Sequence, residues 1–306
     1  MPILLTGATG FLGSILNEAL SRHVEVVTLG VSAGNDLVVN LALETPQLSQ
    51  TFGQVVHCAG KAHSVPRNEE ESRLFYAVNH EGTLRLLKGL EAAPALPRLF
   101  VFISTVAVYG LEVGENIRED YPLLGQTPYA KSKMLAEEAV LQWCAARQVR
   151  CVVLRLPLVV APNPPGNLGA MIRAIRKGHY LAIRNNKAAK SLVQAQDVAG
   201  LVTQLCLAGT PQPEGVFNLT DGRHPAFGEV EAALEKIYGR RIRFRIPLWG
   251  ARILAQTGDF LQRLGLPAPL NSNKLGKITT TLTFDDAKAR RELGWKPGDG
   301  LDGLRR

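Results

Sequence analysis

The chain has 306 residues, 46% hydrophobic and 20% charged, which excludes a largely disordered protein and leaves ample volume for a buried core. Its four cysteines (Cys58, Cys144, Cys151, Cys206) form no CxxC pair and no zinc-ligand spacing, so neither a disulfide scaffold nor a metal site is expected. The net charge is +8, dispersed except at Arg240, Arg241, Arg243 and Arg245, whose alternation with Ile242 and Phe244 reads as a strand with one charged, solvated face; a patch that helps hold anions is the alternative, and a nucleic-acid surface is not expected.

In chain order, the apolar run at residues 3–5 reads as a buried strand, and helical spacing follows Gly13 at Ile15, Leu16, Ala19 and Leu20. Strands are expected over 24–29, 54–59, 99–104 and 151–156, with helices over 70–90 and 129–147. Strands apolar throughout and separated by helices imply a parallel sheet covered on both faces, a Rossmann-type doubly wound α/β fold. Beyond Pro157 the texture becomes irregular, with a Pro/Gly loop over 161–169 and turns over 210–215 and 221–225. The expected division is a dinucleotide-binding domain over 1–156 and a smaller substrate-binding lobe over 157–306. A strand, turn and helix near 192–210 would return to the first domain. No apolar run is long enough to span a membrane, and no basic segment precedes the first strand, so a cytoplasmic protein is expected.

The first chemical signal is TGATGFLG, which spaces Gly7, Gly10 and Gly13 three apart between a strand and a helix. Gly7 permits a tight turn, Gly10 a close approach to a pyrophosphate, and Gly13 close packing of helix on strand. The helix N-terminus adds free N–H groups for phosphate. At the end of the second strand stand Gly30, Val31 and Ser32, with no carboxylate for a ribose and no arginine for a 2′-phosphate, so NAD and NADP are both admissible.

Tyr129 and Lys133 lie four apart on one helix, so both point from one face. An ammonium beside a phenol favours the phenolate and prepares it to exchange a proton with a hydroxyl. Thr105, at the end of the strand FVFIST, can hydrogen-bond the same oxygen; a turn cap is its alternative reading.

With these motifs the chain resembles the extended short-chain dehydrogenase/reductases, the NAD-dependent epimerase/dehydratase family. The resemblance runs in order through TGATGFLG, VVHCAG at Val55, AVNHEGT at Ala77, FISTVAVYG at Phe102 and TPYAKSKMLAEE at Thr127. It continues through LRLPLVVAP at Leu154, KSLVQAQDVA at Lys190 and FDDAKARRELGWKP at Phe284. It implies that Gly7, Gly10 and Gly13, with the N–H groups of Phe11 and Leu12, cradle the cofactor pyrophosphate. It implies that Cys58, Ala59 and Gly60 line its ribose and phosphates, that Asn79 supports the loop beside the nicotinamide, and that Pro157 and Val160 meet the carboxamide end. Asn40 and Leu41 occupy the adenine position, where Asn40 departs from the more usual aspartate. Thr105, Tyr129 and Lys133 match the catalytic set.

The segment PPGNLGAMIRAIRKG resembles members that act on nucleotide-activated sugars, which implies Asn167, Arg173 and Arg176 as substrate-binding residues; an ordinary amphipathic helix is the alternative. Lys190-Ser191 replaces the Arg-Asp of many epimerases, and Val106-Ala107 stands where a dehydratase would carry an acidic pair. The implied activity is a nucleotide-sugar epimerase or 4-keto-sugar reductase working through Tyr129 with NAD or NADP. An oxidoreductase of another alcohol or ketone, and a non-catalytic dinucleotide sensor, are the alternatives. Relatives commonly dimerise through helices matching 70–90 and 129–147, so a homodimer is implied.

Overall fold

The computed structural model describes residues 1–62, 64–209, 213–266 and 270–305. The first half builds β1 (Ile3–Thr6), α1 (Phe11–Ser21), β2 (Val26–Gly30), β3 (Leu37–Val38) and β4 (Gln54–His57). It continues with α2 (Glu69–Phe75), a π-helical turn (Tyr76–Glu81), α3 (Gly82–Glu91), β5 (Leu99–Thr105), β6 (Gly114–Ile117), α4 (Pro128–Arg147) and β7 (Arg150–Leu156). The second half contains β8 (Leu158–Val160), α5 (Gly166–Lys177), β9 (Leu181–Ile183), β10 (Leu192–Gln194), α6 (Ala195–Leu207) and β11 (Gly215–Asn218). It closes with α7 (Phe227–Tyr238), β12 (Phe244–Ile246), α8 (Leu248–Arg263), α9 (Ser272–Thr279), β13 (Leu282–Phe284) and α10 (Ala287–Leu293).

Seven strands form one parallel sheet in the order β11-β7-β5-β4-β1-β2-β3. This is the expected doubly wound Rossmann fold. Alternation along the strands feeds two cores. Ile3 and Leu5 join Leu16, Leu20, Val198 and Val202 under α1 and α6, while Leu4 joins Leu86, Leu90, Phe100 and Trp143 under α3 and α4. The strand order reverses between β1 and β4, which opens the crevice at their carboxyl ends where such sheets take ligands.

Local sequence sets the helix ends. Asn68 accepts from the Glu71 N–H and Thr127 from the Ala130 N–H, with Pro128 at the first helical position of α4. The returning segment packs α6 beside α1, and β11 adds the edge strand next to β7. Three two-stranded ribbons, β8 with β10, β9 with β12 and β6 with β13, carry the remaining chain over the sheet's edge. The Pro/Gly loop ends early, because Gly166 already starts α5. Of the arginine-rich run only Phe244–Ile246 is a strand; Ile242 is buried but Phe244 faces solvent, so the expected clean alternation fails. In the expected 210–215 turn, residues 210–212 lie outside the described residues.

Candidate functional site

The glycine turn closes on itself so tightly that side chains cannot enter. Gly7 has φ of +75°, and a Cβ there would lie 2.7 Å from the Ala59 backbone. At Gly13 a Cβ would lie 1.9 Å from the Gly7 carbonyl oxygen. Gly10 is the exposed N-cap of α1, with no side-chain hydrogen bond to the helix and no acidic residue in the first turn. The N–H groups at Phe11 and Leu12 open the helix with no carboxylate in the first turn, and the cradle fits a pyrophosphate.

Behind the turn, His57 locks three segments together. Thr83 gives its only hydroxyl proton to the Asn79 carbonyl at 2.6 Å, so the His57 Nε2–H must donate to Thr83 at 2.8 Å. His57 Nδ1 then accepts from the Thr6 hydroxyl at 2.6 Å, and the Thr6 oxygen accepts from the Ala59 N–H at 3.1 Å. Burial, with the nearby Lys133 charge, pushes the imidazole down to about 3, so the ring is neutral. This chain of bonds ties β1, the β4 end and α3 into one frame.

Asn79 sits in the π-helical turn, fully buried, and grips the loop after β4. Its Oδ1 accepts from the Lys61 N–H at 2.7 Å, while its Nδ2 donates to the Lys61 carbonyl at 3.1 Å and to Ser132 Oγ on α4 at 3.0 Å. A Cβ at Gly60 would come within 3.2 Å of Asn79 Oδ1. The structure thus joins Gly60, Asn79 and α4, with Cys58 beside Tyr129 and Lys133; burial raises the Cys58 thiol to about 12.

Thr105, Tyr129 and Lys133 meet at the carboxyl end of β5. Thr105 Oγ1 accepts from the Ala107 N–H at 3.2 Å, capping a 3₁₀ turn (Val106–Tyr109). Its proton remains to donate to the Tyr129 oxygen, the polarity that steadies a phenolate. The turn-cap reading of Thr105 is thus observed, and it leaves the hydroxyl proton uncommitted. Burial nonetheless raises the Tyr129 phenol above its ordinary value, with the Thr105 bond opposing and Cys58 adding to the rise. Lys133 is not among the groups that set it. Its ammonium donates to the Ile103 carbonyl at 2.7 Å and lies 3.9 Å from the centre of the Phe102 ring. Burial lowers Lys133 to about 8, against the pull of Glu137 and Cys58.

One turn further along α4 is a group that the motif reading passed over. Glu137 is 1% exposed and pairs with Arg155, 4% exposed, through Nη2 at 2.7 Å and Nε at 3.2 Å to each carboxylate oxygen. Ser104 also donates to Glu137, and Arg155 Nη1 donates to the Tyr109 hydroxyl at 3.0 Å, which donates to Asn218 at 2.7 Å. The sequence signal was available: Glu137 follows Lys133 by four, and Arg155 is the charged residue of LRLP.

The remaining expected residues lie apart. Leu41 is in the core beneath β2, and Asn40 caps a turn by accepting from the Ala42 N–H at 3.1 Å. Val160 is fully buried among Leu168, Met171 and Ile172, and half-buried Pro157 links β7 to β8. Asn167, Arg173 and Arg176 lie on the exposed side of α5; Arg176 rests 5.7 Å over the Tyr238 ring and Arg173 lies against Gly169. Among the described residues no contact joins these three to Thr105, Tyr129 or Lys133, and no metal-ligating cluster is present.

The sequence model of the NAD dependent epimerase/dehydratase family matches residues 3–219. The chain belongs to this family. Among characterised relatives, UDP-glucose 4-epimerase of Vibrio cholerae is 27% identical over 318 residues, covering 98% of this chain and 92% of the relative. Among solved structures, UDP-glucuronic acid 4-epimerase of Bacillus cereus, in complex with UDP-glucuronic acid and NAD, superposes with a TM-score of 0.74 at 18% identity. That match covers 99% of this chain and 96% of the other. RMD of Pseudomonas aeruginosa, complexed with NADPH, gives a TM-score of 0.70 at 22% identity, covering 99% and 95%. These structural likenesses establish the shared fold.

Proposed function

We propose that this chain is an NAD(P)-dependent nucleotide-sugar 4-epimerase, with Tyr129 as its acid/base. The supporting observation is the gathering of Thr105, whose hydroxyl pulls the Tyr129 phenol down, with Tyr129 and the buried Lys133 at the carboxyl end of β5. The similarity to Vibrio cholerae UDP-glucose 4-epimerase along nearly the whole chain supplies the substrate class.

When bound, the nicotinamide cofactor supplies the hydride acceptor and donor. Gly7, Gly10 and Gly13, with the Phe11 and Leu12 N–H groups, would hold its pyrophosphate, and the Cys58-Ala59-Gly60 segment would line the sugar beside it. Tyr129 removes the proton from the sugar 4-hydroxyl and later returns it. With substrate bound, Thr105 would turn its one hydroxyl proton from the Tyr129 side to the same sugar oxygen and hold it in line. Lys133, one turn along α4 and held by the Ile103 carbonyl, would meet the nicotinamide ribose. Val106 and Ala107 offer no acid for a dehydration. Residues 157–306 mainly form the substrate lobe, where Arg173 and Arg176 suit a diphosphate. A homodimer through α2, α3 and α4 accords with their exposed Leu74, Leu84 and Leu135.

The test is conversion of UDP-galactose by the wild type and by Tyr129→Phe with NAD. The variant should lose roughly 10²–10⁴-fold in turnover while NAD still raises its melting temperature. Unchanged turnover in Tyr129→Phe would remove the proposed acid/base.

A further inference from the structure

Helix α8 is built inside out. Its buried residues are Ala251, Ala255 and Gly258, small side chains spaced four and three apart that seat it against Ile183 and Leu275. Its large apolar residues point the other way: Trp249 is 68% exposed, Ile253 55%, Phe260 60% and, just past the helix end, Leu264 59%. At 100° per residue these four positions fall on one stripe opposite the small-residue face. Phe244, on the approach to the helix, and Leu248, its first residue, are exposed as well. A soluble surface scatters such residues singly; a continuous ridge of them marks a docking surface.

Charge identifies the occupant. Residues 240–277 contain eight arginines and lysines against one acid, Asp259, so this segment holds net +7 of the chain's +8. Arg252 and Arg263, both exposed, fall along one edge of the apolar stripe, and exposed Arg241 and Arg243 precede it beside Phe244. Large apolar side chains ending in tryptophan and phenylalanine, bordered by arginines, suit the headgroup and upper acyl region of an anionic bilayer. No helix among the described residues is long and apolar enough to cross a membrane. From these observations we infer that α8 and the arginine-rich strand before it form a peripheral docking face for anionic lipid membranes. The face is separate from the α2, α3 and α4 surface discussed above, and does not depend on which reaction the site performs.

Full-length protein mixed with vesicles of equimolar phosphatidylglycerol and phosphatidylcholine tests this, with phosphatidylcholine alone as control. The protein should float with the anionic vesicles, and added salt should release it. Trp249 reports insertion directly, since Trp143 and Trp295 are 7% and 4% exposed: emission should shift to the blue only with anionic vesicles. Ile253→Ser with Phe260→Ser should weaken vesicle binding at least roughly tenfold. Arg241→Gln and Arg243→Gln should each cost about fivefold and reduce the salt dependence. All four side chains are exposed, so melting temperatures should stay near wild type. Failure to bind anionic vesicles, or equal binding to neutral ones, overturns the inference. So does a homodimer that Ile253→Ser with Phe260→Ser dissociates, because the ridge is then covered by a second copy.

Discussion

Replacing Glu137 by Met tests whether the buried ion pair on α4 is a mutual dependence or an ordinary contact. Glu137 accepts from Arg155 at 2.7 and 3.2 Å and from Ser104, and both charged groups are almost sealed from water. Without the carboxylate, the guanidinium keeps only the Tyr109 hydroxyl at 3.0 Å and the Glu119 carbonyl at 3.3 Å. An uncompensated buried charge of this kind costs about 3–5 kcal/mol, and Arg155→Met should cost a similar amount by stranding Glu137. Combining both substitutions removes both charges, and an apolar pair of similar volume should restore most of the loss. Urea denaturation followed by fluorescence at neutral pH measures all three variants. Unequal slopes would mark a change in the unfolded state, so the comparison requires equal slopes. The expected result is two damaged single variants and a double variant more stable than either. A single-variant cost below about 1 kcal/mol, as for an exposed pair, would refute the reasoning. The same Glu137→Met change removes the main charge supporting protonation of Lys133, whose value should then fall further below about 8.

Two further outcomes are expected. Gly13→Ala would put its Cβ 1.9 Å from the Gly7 carbonyl oxygen, backbone against backbone; α1 must shift off β1, and both NAD-induced stabilisation and thermal stability should drop, the latter by roughly 1–3 kcal/mol. His57 is held neutral to about 3 in the folded chain but takes a proton near 6.5 when unfolded, so stability present above pH 6.5 should be lost as pH falls towards 3, by about 1.4 kcal/mol per pH unit from this group. His57→Gln should be less stable at neutral pH yet have a flatter acid limb; an unchanged limb would sink the assignment.

Much of the fold is legible in the sequence because the central strands of the parallel sheet are buried on both faces. Residues 99–104 and 151–156 are apolar almost without interruption for that reason, and the TGATGFLG turn announces itself through Gly7 and Gly13, where a Cβ has no room. Spacing alone also placed Tyr129 and Lys133 on one helix face. Helix 70–90 was readable as a helix, but not the π-helical turn at Tyr76–Glu81 within it. Nothing in the local periodicity demands that turn; Asn79 occupies it while binding Lys61 and Ser132, which are 18 and 53 residues away in sequence.

The sequence by itself determined the alternation of strands and helices and the glycine turn, since these follow from local periodicity and residue chemistry, while the family resemblance nominated Thr105, Tyr129 and Lys133. Only the tertiary structure decided which charges neutralise one another. Lys133 turns to the Ile103 carbonyl, Glu137 finds Arg155, and His57 settles as a neutral tautomer between Thr6 and Thr83. The outward ridge of α8 belongs to the same category. Its hydrophobic pattern would suit a core helix equally well, and the face that meets solvent is set by which surface the remaining chain offers to pack against.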